Sequence, residues 1–141
     1  MTRAGLLALF NNHGILATPQ RIEIAGILLE RPQHLSAEHI LDALQEAGSA
    51  VSKATVYNTL KLFSQHGLVK EVTVDPVRKF YDSTTHPHHH FYNVDSGELS
   101  DIPDEQVVVQ HLPELPAGTE QESIEVLIKV RDRVRNQSKS L

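Results

Sequence analysis

The hydrophobic pattern of this chain changes its period once, near Gly67, and that change limits the fold more than any other feature of the sequence. Before Gly67, apolar residues recur every three or four positions. Leu6, Leu7, Leu9 and Phe10 predict a short first helix ending near His13 and Gly14. Thr18 can cap a second helix, with Pro19 at its first position, where the missing N–H needs no partner. Its stripe is Ile22, Ala25, Leu28 and Leu29, and Arg31-Pro32 breaks it. Ser36 opens a third helix carrying Ile40, Leu41 and Leu44, which Gly48 stops. Ser52 caps a fourth, on which Val56, Leu60 and Phe63 share one side. After Gly67 the pattern alternates. Residues 68–74 read as a strand, Asp75-Pro76 as a turn, and residues 79–81 can pair back.

Helices followed by a two-stranded hairpin are the order of a winged helix-turn-helix. The expected fold is therefore α+β: a winged-helix DNA-binding domain over residues 1–83, a hinge at 84–87, and a small α/β domain over 88–141. In the second domain, residues 88–94, 98–102 and 123–130 predict strands, 104–112 a short helix, and 131–141 a polar tail without regular structure.

Charge divides along the same line. Residues 1–80 carry eight Lys and Arg against seven Asp and Glu, whereas residues 81–141 carry five against eleven. A nucleic-acid surface is thus expected only in the first half, and the acidic second half suits cations. Cysteine is absent, which excludes disulfides and thiolate metal sites. No stretch reaches the roughly 20 apolar residues of a membrane span, and the first residues do not resemble a signal peptide, so a cytoplasmic location is expected.

Residues 52–61 form the candidate DNA-reading helix. Val56 and Leu60 point inward. Ala54, Asn58 and Lys61 lie opposite, with Thr55 and Tyr57 on the flanks. Small and hydrogen-bonding side chains at a helix N-terminus suit the major groove: Ala or Thr can touch a thymine methyl and Asn can pair with adenine. Lys53 and Lys61 suit phosphates, and Ser52, the cap, joins them among the candidate DNA-binding residues. By composition alone the same pattern also describes the solvated face of a core helix.

Nine histidines are the other anomaly, four of them within residues 86–90. His88 and His90, two apart on an expected strand, share a face, while His89 points away. Asp82 and Asp101 can add carboxylate oxygens, and His34, expected in the loop after the second helix, can add a third imidazole. Such a set suits Fe²⁺, Mn²⁺ or Zn²⁺. A histidine-rich loop with no ligand is the plain alternative. Two other functions compete with regulation, a metallohydrolase and a histidine-rich metal-binding protein. Five ligands leave little room for the open position an enzyme needs, and a metal store does not explain residues 52–61. No catalytic activity is expected.

The run Ala17-Thr18-Pro19-Gln20-Arg21, the segment 52–60, Gly67-Leu68-Val69 and His88-His89-His90 together resemble the ferric uptake regulator (Fur) superfamily. The resemblance covers about residues 5–130. It implies a winged helix, a C-terminal α/β dimerisation domain, a homodimer, and metal-dependent repression at double-stranded operator DNA, controlling iron, manganese or peroxide-stress genes. It places the regulatory site, one divalent ion per subunit, on His34, Asp82, His88, His90 and Asp101. Base-contacting positions fall on Ala54, Tyr57 and Asn58. A second family site, or a haem site, has only His86, His89 and Glu122 as candidates. Three departures stand out. The CxxC pairs of a structural zinc are missing, with Asn93 and Ser96 at the first pair's positions. Leu16 replaces the Lys or Arg that many members carry before Thr-Pro. Pro113 and Pro116 shorten the long helix of the dimerisation domain. The triple histidine and residues 98–103 look most like the Irr branch, a haem-responsive alternative, and Asp101 like the PerR branch.

Overall fold

The computed structural model describes residues 1–134. The end of the polar tail, residues 135–141, lies outside them. The chain forms two compact units, one of residues 1–85 and one beginning at His86.

The first unit holds α1 (Arg3–Asn12), α2 (Pro19–Leu28), β1 (His34–Ser36), α3 (Ala37–Glu46), α4 (Lys53–Gln65), β2 (Lys70–Thr73) and β3 (Lys79–Asp82). Each helix starts at a hydroxyl cap. Thr18 Oγ1 accepts from Arg21 N–H at 3.3 Å and Ser52 Oγ accepts from Thr55 N–H at 3.2 Å. Ser36 and His39 cap reciprocally, each side chain accepting from the other's backbone N–H. Phe10, Ile24, Leu28, Ile40, Val56, Leu60 and Phe63 are fully buried and form the core between the helices. The rings of Phe10 and Phe63 meet at 5.5 Å.

The wing is wider than the sequence suggests. The hairpin is as expected, its turn tied by Asp75 Oδ1 accepting from the N–H groups of Val77 and Arg78. A third strand, β1, pairs with β3, so the sheet order is β1-β3-β2. His34 is therefore on a strand rather than in a loop. Three residues are too few for a period to show. Tertiary anchors hold the strand: Gln33 Nε2 donates to the last carbonyls of α2, Ile27 and Leu28, and Gln33 N–H donates to Ser83 Oγ at 3.0 Å.

The second unit holds β4 (His89–Asn93), β5 (Leu99–Ile102) and β6 (Leu127–Val130), ordered β5-β4-β6 with β4 and β6 parallel. Two expectations need correction. The helix expected over 104–112 is a single 3-10 turn, Asp104–Gln106. Consecutive Val107, Val108 and Val109 disfavour helix through their stiff χ1 angles, and Pro113 removes a donor just beyond. The strand expected over 123–130 is shorter, because only residues from Leu127 pair with β4 along the ladder. Among the described residues, no helix is long and apolar enough to cross a membrane.

Candidate functional site

The first candidate surface is the exposed side of α4. Its N-terminal residues Ser52, Lys53 and Ala54 are exposed, as are Tyr57, Asn58 and Lys61, while Thr55 is half-buried. This is the division expected from the period, because Val56, Thr59, Leu60 and Phe63 take the inner side. Thr55, Asn58 and Lys61 line one open groove together with Thr18, Gln20 and Arg21 at the start of α2. Gln20 and Arg21 thus join the same surface, a proximity that spacing along α4 could not reveal. Arg21 is steadied by donating through Nη1 to the Leu16 carbonyl at 2.7 Å.

Tyr57 and Lys53 converge on a residue that inspection of α4 alone misses. The Tyr57 hydroxyl donates to Glu38 Oε1 at 2.7 Å, and Lys53 Nζ lies 3.6 Å from the same oxygen. The hydrogen bond from Tyr57, then the charge of Lys53, hold the Glu38 carboxyl below its usual range. The same hydrogen bond, with some burial, raises the Tyr57 phenol.

The candidate metal ligands fall on both units. In the first, His34 on β1 and Asp82 on β3 are direct cross-strand partners, which puts their side chains on one face of the sheet. Asp82 is 1% exposed, and its Oδ1 accepts from Thr84 N–H at 2.8 Å. In the second, His88 Nε2 and His90 Nε2 approach the same atom, Asp101 Oδ1, at 3.0 and 3.3 Å. His90 and Asp101 are register partners on β4 and β5. His88 stands just before β4, yet its ring lies 4.3 Å from that of His90. Its Nδ1 is 2.8 Å from the His86 carbonyl. That bond fixes Nδ1 as the protonated nitrogen and turns Nε2 toward Asp101, the orienting contact typical behind a metal-ligating histidine. Two buried imidazoles and one carboxylate converging on a point form an N/O donor set suited to a divalent ion of borderline hardness.

His86, His89 and Glu122 are not drawn together. His89 Nδ1 accepts from Val126 N–H at 2.8 Å, which ties it to the chain entering β6. The His86 ring lies tilted at 48° to that of His88, with centroids 5.4 Å apart, and Glu122 is exposed. Among the described residues, the one group of potential metal ligands includes none of them, and it leaves out His88 as well. Other histidines have structural roles: His39 in the α3 cap, and His13 with His66, whose Nδ1 atoms each lie 3.0 Å from the other's carbonyl across the ends of α1 and α4.

A sequence model described as the ferric uptake regulator family matches residues 12–128. The peroxide-responsive repressor PerR of Staphylococcus aureus is 34% identical over 96 residues, 68% of this chain and 65% of that protein. The match therefore spans slightly less than two thirds of that relative's length. Among solved structures, the ferric uptake regulator of Pseudomonas aeruginosa with manganese aligns at a TM-score of 0.68 and 27% identity, covering 91% of this chain and 98% of that one. The ferric uptake regulator of Vibrio cholerae aligns at 0.69 and 22% identity, covering 87% and 96%, a likeness of fold.

Proposed function

The chain belongs to the ferric uptake regulator family, and we propose on that premise that it is a metal-responsive DNA-binding repressor of iron, manganese or peroxide-stress genes. It works as a homodimer in the cytoplasm and acts by binding rather than by catalysis. The observation that carries the reading is one chain holding both an exposed polar face on α4 and the His88–Asp101–His90 cluster with its orienting bond to His86.

In this reading α4 enters the major groove. Ala54 and Thr55 meet thymine methyls, Asn58 pairs with adenine, Tyr57 reads a neighbouring base, and Ser52, Lys53 and Lys61 hold phosphates. The charge division supports the same orientation, because the first 80 residues are nearly neutral and the rest strongly acidic. His34, Asp82, His88, His90 and Asp101 hold one divalent ion, Fe²⁺, Mn²⁺ or Zn²⁺, in each subunit. Such an ion would favour whichever state of the protein offers it more of these ligands, and that differential affinity would make DNA binding depend on metal.

The homodimer draws on an apolar face of the second sheet. Phe91 and Ile128 are register partners on β4 and β6, Val130 follows two residues on, and all three are more than a third exposed. A second copy can cover this face and the outer edge of β6.

The test starts from duplexes selected out of a random pool by the Mn²⁺-loaded full chain, then compares mobility shifts with and without chelator. Retention of the selected duplex is expected only with metal, and His90→Ala should abolish the difference. Tyr57→Ala should weaken selected duplex far more than random duplex. Equal retention with and without chelator would refute metal response. Equal losses on both duplexes would remove Tyr57 from base reading.

A further inference from the structure

We propose that Glu38 is an autoinhibitory residue of the α4 surface: in the free protein its carboxylate stands where a phosphate would meet Lys53 and holds the Tyr57 hydroxyl, so duplex must displace it. The proposal rests on the DNA-binding reading and goes beyond it, since Glu38 lies on α3, outside the reading helix.

Two contacts meet at one oxygen, and a third joins the two partners to each other. Tyr57 O–H donates to Glu38 Oε1 at 2.7 Å, Lys53 Nζ is 3.6 Å from that atom, and Lys53 Nζ also sits 5.7 Å above the Tyr57 ring. The lysine and glutamate side chains are 65% and 57% exposed. Exposed ion pairs contribute little to stability, so this knot is not what joins α3 to α4. The buried Ile40, Leu44, Val56 and Leu60 do that. The carboxylate remains charged at neutral pH, because both partners favour its ionised form.

The consequence falls on both kinds of duplex. Non-specific complexes depend on phosphate contacts alone, so losing free access to Lys53 costs them a share of their whole attraction. A specific complex loses the same access and must in addition break the Tyr57–Glu38 bond before Tyr57 meets its base. An acidic side chain on the reading surface thus weakens both complexes, and the specific one at least as much as the non-specific one.

The test measures binding of the metal-loaded full chain to its selected duplex and to random duplex over a range of salt. Glu38→Gln keeps an acceptor for Tyr57 but removes the charge. Random-duplex affinity should rise about fivefold at low salt, and the slope of log affinity against log salt should steepen by about 1. Selected-duplex affinity should rise at least as much, so the selected-to-random ratio should not fall. In a Lys53→Gln background the same substitution should add nothing, since the carboxylate then has no cation to mask. Glu38→Asp, which keeps the charge one methylene further back, should lie between wild type and Glu38→Gln; it decides the matter if Glu38→Gln folds poorly. Unchanged random-duplex affinity and slope would overturn the proposal. So would an equal gain in the Lys53→Gln background, which would mean general charge repulsion. A wild-type chain that binds no duplex even at low salt would overturn the DNA reading itself, and this proposal with it.

Discussion

The Tyr57 hydroxyl and the Glu38 carboxylate shift each other in opposite directions. Glu38 is lowered, first by the hydrogen bond from Tyr57 and then by Lys53. Its contribution to the folded state is present above the ordinary carboxylate range and is lost as pH falls through the lower folded value. Tyr57 is raised from 10.0, chiefly by the same bond. Its contribution is present below the ordinary phenol value and is lost as pH rises through the higher folded one. The contact is therefore intact across the neutral window. An ultraviolet titration of phenolate should show two tyrosines, Tyr57 and Tyr81, ionising late in alkali, and Glu38→Ala, which removes the acceptor, should bring Tyr57 alone back toward the ordinary value. Identical curves for the two proteins would mean that the Tyr57–Glu38 bond does not persist in solution. Whether Tyr57 faced solvent was readable from the period of α4, since Val56 and Leu60 had to face in. That its hydroxyl has a partner 19 residues upstream was not, because that depends on how α3 crosses α4.

At the scale of elements, caps and turns decided where helices begin and end. Thr18, Ser36 and Ser52 each stand one residue before a helix, and Gly14, Gly48 and Gly67 follow the ends of α1, α3 and α4 with positive φ. These are local interactions, so local spacing reveals them. The second sheet is different. Asn93 makes a polar clip between the β4–β5 turn and the chain after β6. Its Oδ1 accepts from the N–H groups of Asp95 and Ser96, and its Nδ2 donates to Asp132 at 2.9 Å. Asp132 N–H in turn donates to Asp95 Oδ2 at 2.8 Å. Replacing Asn93 with Ala should cost about 1 kcal/mol of stability and loosen the end of β6. Hydrogen exchange of the β6 amides reads this directly. Unchanged protection in Asn93→Ala would show that strand pairing with β4 alone holds β6.

For the whole molecule, the absence of cysteine carries a consequence for assembly. If the dimer is held by the apolar face of Phe91, Ile128 and Val130, it owes nothing to a structural zinc. Exhaustive chelation should abolish selective DNA binding while light scattering still reports a dimer. Monomers after chelation would mean that an ion props the interface. The sequence by itself determined the helical order, the hairpin, the inward and outward sides of α4, and the donor chemistry of the histidine-rich segment. Each follows from interactions within a turn or two of chain, or from residue type alone. Only the tertiary structure decided that His34 lies on a strand opposite Asp82, that His88 and His90 meet on one oxygen of Asp101, that Gln20 and Arg21 border the groove beside α4, and that Glu38 holds Tyr57. Those pairings join residues distant in sequence. Strand register and helix crossing set them, and both come from burying a shared core rather than from any spacing along the chain.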